Sequence, residues 1–119
     1  MAKILIVDDS SFQRRCVKAA LGAEAHEYLE AASGHEALER LESEQVDLMC
    51  LDLNMPVMGG IECLEAMRSR EMTVPTIVCT ADIQATTKQK CLELGAIDVI
   101  NKPVEQDQMK ALLSKVFSG

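Results

Sequence analysis

Three short runs in this chain carry almost no polar side chain: Ile4-Leu5-Ile6-Val7, Leu48-Met49-Cys50-Leu51 and Thr76-Ile77-Val78-Cys79-Thr80. A strand that alternates apolar and polar residues can lie on a surface. A strand apolar at every position has to be covered on both faces. A parallel sheet with crossover helices on either side meets that condition.

Between the runs the apolar spacing becomes helical. Phe12, Cys16, Val17, Ala20 and Leu21 fall on one stripe of a helix from about Ser11 to Leu21, and Gly22 is suited to end it. Ser33-Gly34-His35-Glu36 reads as a capping box opening a second helix, with Ala37, Leu38 and Leu41 on its buried face. Gly59-Gly60 precede a third helix, which turns Ile61, Leu64 and Met67 inward. A fourth, from about Ile83 to Leu94, has only a thin stripe of Ile83, Cys91 and Leu94, with Thr87 between, and Gly95 stops it. A fifth, from about Glu105 to Phe117, has a strong stripe of Met109, Leu112, Leu113, Val116 and Phe117.

Two more strands complete the pattern. Glu27 to Ala31 mixes Tyr28 and Leu29 with Glu27 and Glu30, and Ala96 to Ile100 is interrupted by Asp98. Charged strands suit the edges of a sheet and apolar ones its centre. Five strands alternating with five helices therefore predict an α/β fold with a parallel sheet of order 2-1-3-4-5, right-handed crossovers and helices on both faces. A chain of 119 residues has room for one such domain, taken as residues 1–119.

The net charge of −7 argues against nucleic acid or an anionic membrane as a direct partner. No apolar run approaches a membrane span, and Met1-Ala2-Lys3 leads into the first strand without a signal peptide, so a cytoplasmic protein is expected. The five cysteines form no C-x-x-C pair, which argues against zinc and dithiol chemistry. Cys50 and Cys79 read as small core hydrophobes, and the odd count suits a reducing compartment. His26 and His35 read as surface residues.

In a parallel sheet the carboxyl ends of all strands share one rim, where open α/β sheets place their ligand sites. Here strand 1 ends in Asp8-Asp9, strand 3 in Asp52, strand 4 in Thr80 and strand 5 in Lys102. Each has a plain structural use. Asp8 and Asp9 would serve as helix N-caps, Asp52 as a turn cap, Thr80 as an ordinary strand residue and Lys102 as a solvated lysine. Their convergence on one rim points instead to one site. Three carboxylates packed together repel unless a cation joins them, and an all-oxygen site of few ligands suits Mg²⁺.

Ile4 through Asp9, the Asp52-Leu53-Asn54-Met55-Pro56 turn, Thr80-Ala81 and Lys102-Pro103 together resemble the motifs of response-regulator receiver domains. The likeness covers essentially the whole chain, and at this length it is greatest to free-standing receivers of the CheY type. It implies that Asp52 accepts a phosphoryl group from a histidine kinase's phosphohistidine. It implies that Asp9, Asp52 and the backbone carbonyl of Asn54 bind Mg²⁺, with Asp8 acting through water. Thr80 and Lys102 would contact the phosphoryl group, and Lys102-Pro103 would be a cis peptide. Asn54 and Asp82, two residues after Asp52 and Thr80, would flank the attacking water and tune dephosphorylation, with or without a phosphatase. The output target would dock on the face of helix 4, strand 5 and helix 5.

One position departs from the pattern. Receivers often carry Tyr or Phe three residues before the lysine, where Val99 stands here. Switching would then rest on Thr80 and loop closure, and the output partner would differ from the chemotaxis motor. Two other arrangements share parts of this site. A Mg²⁺-dependent aspartyl-phosphate phosphatase usually has its nucleophile on the first strand with a second Asp two residues on, a spacing that Ile6-Val7-Asp8-Asp9 lacks. A phosphate-independent interaction module should have an incomplete acid pocket. A longer regulator with an output domain after helix 5 would carry the same motifs.

Overall fold

The three apolar runs lie side by side at the centre of one sheet in a computed structural model that describes residues 2–81 and 84–117. The elements follow in strict alternation: β1 (Lys3–Val7), α1 (Ser11–Leu21), β2 (Glu27–Ala31), α2 (Gly34–Ser43), β3 (Leu48–Leu51), α3 (Gly60–Ser69), β4 (Thr76–Thr80), α4 (Ala85–Glu93), β5 (Asp98–Asn101) and α5 (Gln106–Phe117). All pairings are parallel and the order is β2-β1-β3-β4-β5, as the charge pattern of the strands requires. In register, Val7 faces Ala31 on one side and Leu51 on the other, so the central strands end at nearly the same level.

Successive strand residues point to opposite faces, and this splits the core in two. Leu5, Val7, Met49, Leu51, Val78 and Val99 pack under α2, α3 and α4 with Ala37, Leu38, Cys63, Leu64, Met67 and Cys91. Ile4, Ile6, Leu48, Cys50, Ile77, Cys79 and Ile100 pack under α1 and α5 with Val17, Ala20, Leu21, Met109 and Leu112. Cys50 and Cys79 are core hydrophobes, as expected.

Several boundaries and faces differ from the sequence expectation. Phe12 is 59% exposed, Cys16 is exposed and Phe117 is 41% exposed, although all three share a helical stripe with buried residues. The stripes run longer than the sheet they cover. The first turn of α1 starts beyond the rim, and the Phe12 ring there meets the Arg15 guanidinium at 6.0 Å. β5 begins at Asp98, where an interruption was expected, because the Asp98 carboxylate folds back onto the Val99 N–H at 2.8 Å. α4 is shorter than expected and buries only Cys91 among its described residues, while Ile83 lies outside the described residues. His35 is exposed, but His26 is half-buried and its Nδ1 accepts the Ala2 N–H at 3.1 Å. No described helix is long and apolar enough to cross a membrane.

Candidate functional site

Because every strand runs the same way, the residues that follow β1, β3, β4 and β5 meet above one edge of the sheet. Asp8 and Asp52 are hung there by backbone bonds that extend the ladder, Asp8 N–H to Ala31 O at 3.0 Å and Asp52 N–H to Val7 O at 2.9 Å. Asp8 is 3% exposed and Asp52 is 6% exposed, while Asp9 faces solvent. One carboxylate oxygen from each of Asp8, Asp9 and Asp52 lies within 4.8 Å of the others.

The plain uses of these residues do not account for them. The N-cap of α1 is Ser10, whose Oγ accepts the Gln13 N–H at 3.3 Å, so neither Asp8 nor Asp9 caps the helix. Lys102 is not solvated. Its Nζ lies 2.5 Å from Asp8 Oδ2 and 3.4 Å from Asp52 Oδ1, with 12% of its side chain exposed. Lys102 N–H also donates to Thr80 O at 2.9 Å, which ties the end of β4 to the lysine. The Lys102-Pro103 peptide is cis. Asn54 is exposed. Asp82 lies outside the described residues.

Burial holds the Asp52 carboxyl above the ordinary carboxylate range. The charge of Asp8 pushes the same way, while Lys102 and the Asn54 N–H pull against both. Burial pulls the Lys102 ammonium down, but the bond to Asp8 and the charges of Asp52 and Asp8 outweigh it, and the net shift is upward. The pocket thus holds more buried negative charge than one ammonium neutralises. Opposed oxygens of an octahedral Mg²⁺ stand about 4 Å apart. Adjacent ones stand closer still, roughly 3 Å, so a trio within 4.8 Å would have to draw together to share such an ion, and its donors are all oxygen.

Thr80 supplies the neutral member of the site. It is fully buried, and its Oγ1 has no hydrogen-bond partner among the described residues. It lines a cavity of about 220 Å³ together with Leu53, Asn54, Ile61, Gln84 and Thr87.

The turn between β3 and α3 is tightly built. Val57, 87% exposed, takes φ 70°, which a β-branched residue rarely adopts. Gly60 lies so close to the strand end that an added Cβ would come 2.5 Å from the Asp52 carbonyl oxygen and 2.9 Å from Leu53 Cα. Gly60→Ala is expected to cost about 1–3 kcal/mol of stability, because only backbone can move to relieve the contact. Chemical denaturation would measure the loss, and amide NMR shifts at Asp52 and Leu53 would show the turn displaced.

The sequence expectation named Asp8, Asp9, Asp52, Thr80 and Lys102, and the fold brings all five to the rim. It missed Ser10 and Arg14. Ser10 N–H donates to Asp8 Oδ1 at 3.0 Å, and Arg14 Nη1 donates to the Asp8 backbone carbonyl at 2.6 Å. A serine directly after two acids and before a helical stripe is an N-cap signal that could have been read. Arg14 has no such signal, since its contact depends on where the chain turns back.

The family model for the response regulator receiver domain matches residues 4–114. The chain belongs to that family. It is 36% identical to the sensor histidine kinase RcsC of Escherichia coli over 111 residues, covering 93% of this chain and 12% of that protein. Among the most similar curated relatives, the chain spans between 12% and 48% of their length. The receiver CheY4 of Vibrio cholerae has the same architecture, with a TM-score of 0.87 and 33% identity over 98% of this chain and 99% of that one. The structure of a CheX–CheY–BeF3–Mg²⁺ complex from Borrelia burgdorferi superposes with a TM-score of 0.89 at 28% identity, covering 98% of this chain and 89% of that one. The chain is thus a receiver domain of the two-component response regulators, with the five-stranded parallel fold of the CheY-like receivers.

Proposed function

We propose that Asp52 is the phosphoacceptor of a phosphorelay and that the rest of the rim serves its reaction. The observation that carries this is the shared cation: Lys102 lies within reach of both Asp8 and Asp52, while Asp9 closes the acid trio. In the transfer, an oxygen of Asp52 forms a bond to phosphorus as the phosphohistidine P–N bond breaks, and the leaving imidazole takes a proton. Asp9, Asp52 and the backbone carbonyl of Asn54 would hold Mg²⁺, with Asp8 acting through water, and the ion when bound neutralises charge on the phosphoryl oxygens. Lys102 can then turn from Asp52 to the new phosphoryl group, still a point charge on a flexible stem.

Thr80 reports the event. A phosphoryl oxygen would give its hydroxyl, unpaired among the described residues, a partner, and movement of the β4 end would carry the loop to α4 with it. α4 is built unevenly for such motion. Its C-terminal half is held to α3 by Arg68 Nη1 donating to Glu93 O at 2.8 Å and by Lys90 Nζ near Glu65 at 3.8 Å. Its N-terminal half buries no described residue. Val99 is buried where a ring would otherwise move, so Thr80 and loop closure carry the switch alone.

The output target docks on α4, β5 and α5, where Leu92, Ile97 and Phe117 are each more than a third exposed. Asn54 and Asp82 set the lifetime of the acyl phosphate, with or without a phosphatase. The domain works as one unit over residues 1–119 in the cytoplasm, alone or as the receiver of a longer regulator, and without direct contact to nucleic acid. It is a phosphoacceptor that assists its own reaction, not a turnover phosphatase. Asp8, the strand-1 acid that such an enzyme would use, is already bonded to Ser10, Arg14 and Lys102. Incubation with acetyl phosphate and Mg²⁺ tests the reading by intact mass. The wild type should gain one phosphoryl group and Asp52→Ala none; equal gain in both would overturn it.

A further inference from the structure

Every polar atom of Asp8 is engaged, and one of its partners stands outside the acid pocket. Its N–H bonds Ala31 O at 3.0 Å, Oδ1 accepts the Ser10 N–H at 3.0 Å, and Oδ2 takes Lys102 at 2.5 Å. Its backbone carbonyl accepts Arg14 Nη1 at 2.6 Å. Arg14 belongs to the first turns of α1, and only 17% of its side chain is exposed. Its Nε–H goes the other way, to Glu30 Oε1 at 2.7 Å on β2. Glu30 pairs in register with Ile6, two residues before Asp8, and Lys18 approaches its second oxygen at 3.9 Å.

The Asp8 carbonyl is one half of the peptide group that joins Asp8 to Asp9. A peptide is planar and rigid, so rotating it would swing both acids together. A guanidinium is also planar, with its N–H groups in a fixed fork. Two bonds from one fork, to Asp8 and to Glu30, therefore fix the angle of that peptide against the edge of the sheet.

We infer that Arg14, braced on Glu30, is a positioning residue for the acid pocket: it clamps the Asp8–Asp9 peptide so that both carboxylates meet Asp52 at a spacing that takes a divalent cation. The inference rests on the metal reading above. It predicts a sign that charge alone does not. Removing a nearby cation should tighten binding of Mg²⁺ by Coulomb attraction; removing a clamp should weaken it.

Titration with MgCl2 alone, followed by calorimetry and by the amide NMR shift of Asp9, separates the two. Arg14→Met is expected to weaken Mg²⁺ affinity about ten-fold, the scale seen when residues behind metal ligands are lost. Arg14→Lys, which keeps the charge but not the fork, should recover only part of it. Arg70→Met is the control for general loss of an ion pair. It breaks the 2.7 Å bond to Glu42 at the opposite rim and should leave affinity within about two-fold. If Arg14→Met fails to fold, Glu30→Met, which has no oxygen to accept the Arg14 Nε–H, removes the brace and should still weaken binding measurably. Unchanged or tighter binding in the Arg14 and Glu30 variants would overturn the inference, as would an equal loss in Arg70→Met. A wild type that takes no Mg²⁺ would overturn the metal reading, and the clamp with it. Normal wild-type binding with unaffected variants would overturn the clamp alone.

Discussion

Lys102→Met should destabilise the protein by about 3–5 kcal/mol near neutral pH, the scale expected when one partner of a buried ion pair is removed. The reason is the number of charges left behind. Asp8 and Asp52 are both buried, both reach Lys102, and no other cation is bonded to either carboxylate among the described residues. The methionine fills the space of the aliphatic stem, so little packing is lost and the effect is electrostatic. Its pH dependence follows from the same groups. The Lys102 ammonium is held above its ordinary value of 10.5, so its contribution is complete below that pH and is lost as pH rises through the higher native value. The variant lacks this term everywhere. Its deficit should shrink in acid, as Asp52, whose carboxyl is held above its ordinary value, takes up a proton and less buried negative charge remains to be compensated. Mg²⁺ should also narrow the gap, to the extent that the variant, having lost a competing cation from the pocket, binds the ion more tightly than the wild type does. Urea denaturation across pH, with and without MgCl2, measures all three. A loss below about 1 kcal/mol at neutral pH would show that the pair behaves as a solvent-screened surface bridge.

The strand order was legible because burial on both faces leaves a mark at every residue of a strand. Ile4-Leu5-Ile6-Val7 has no position at which it could meet water, and Glu27 and Glu30 do not allow β2 to lie inside. The rim was legible for a topological reason. Once all strands are parallel, Asp8, Asp9, Asp52, Thr80 and Lys102 must share one edge, whatever the details of their loops. Helical periodicity, by contrast, fixes a face but not how far the sheet beneath it extends. That is why Phe12 and Phe117 carry the pattern of core residues and stand 59% and 41% exposed.

Polar contacts between distant elements leave no periodic trace at all. Arg14 and Glu30 are sixteen residues apart and each looks like a surface charge, yet they meet at 2.7 Å behind Asp8. His26 likewise reads as surface and instead receives the Ala2 N–H. The weakest reading fell on α4, whose few apolar residues gave little to count. In the structure that same poverty leaves Cys91 as its one buried anchor among the described residues. A segment that must move cannot also be strongly patterned, so the element hardest to read is the one assigned here to carry the signal.

Asp52→Asn should end the chemistry and at the same time make the protein more stable. Asp52 is a carboxylate whose native carboxyl is held above the ordinary value of 3.8, chiefly by burial and then by Asp8. Between that value and the higher native one, the folded state binds more protons than the unfolded state. Stability therefore falls as pH rises through the window, and at neutral pH the wild type carries the full penalty. Asparagine does not titrate, keeps nearly the same shape and leaves Lys102 paired with Asp8. The variant should match the wild type most closely in acid and exceed it increasingly toward neutral pH. Each kcal/mol gained would raise Tm by roughly 3–6 °C in a domain of this size. The wild type should recover the difference when MgCl2 is added, because the ion supplies the charge the pocket lacks, and the variant should recover less. An asparagine variant less stable than the wild type at neutral pH, or one offset from it equally at every pH, would mean that Asp52 is already well compensated by Lys102. A compensated carboxylate would have no reason to attract a second cation, and the rim would then be a structural ion pair instead of a site held ready for a metal and a phosphoryl group.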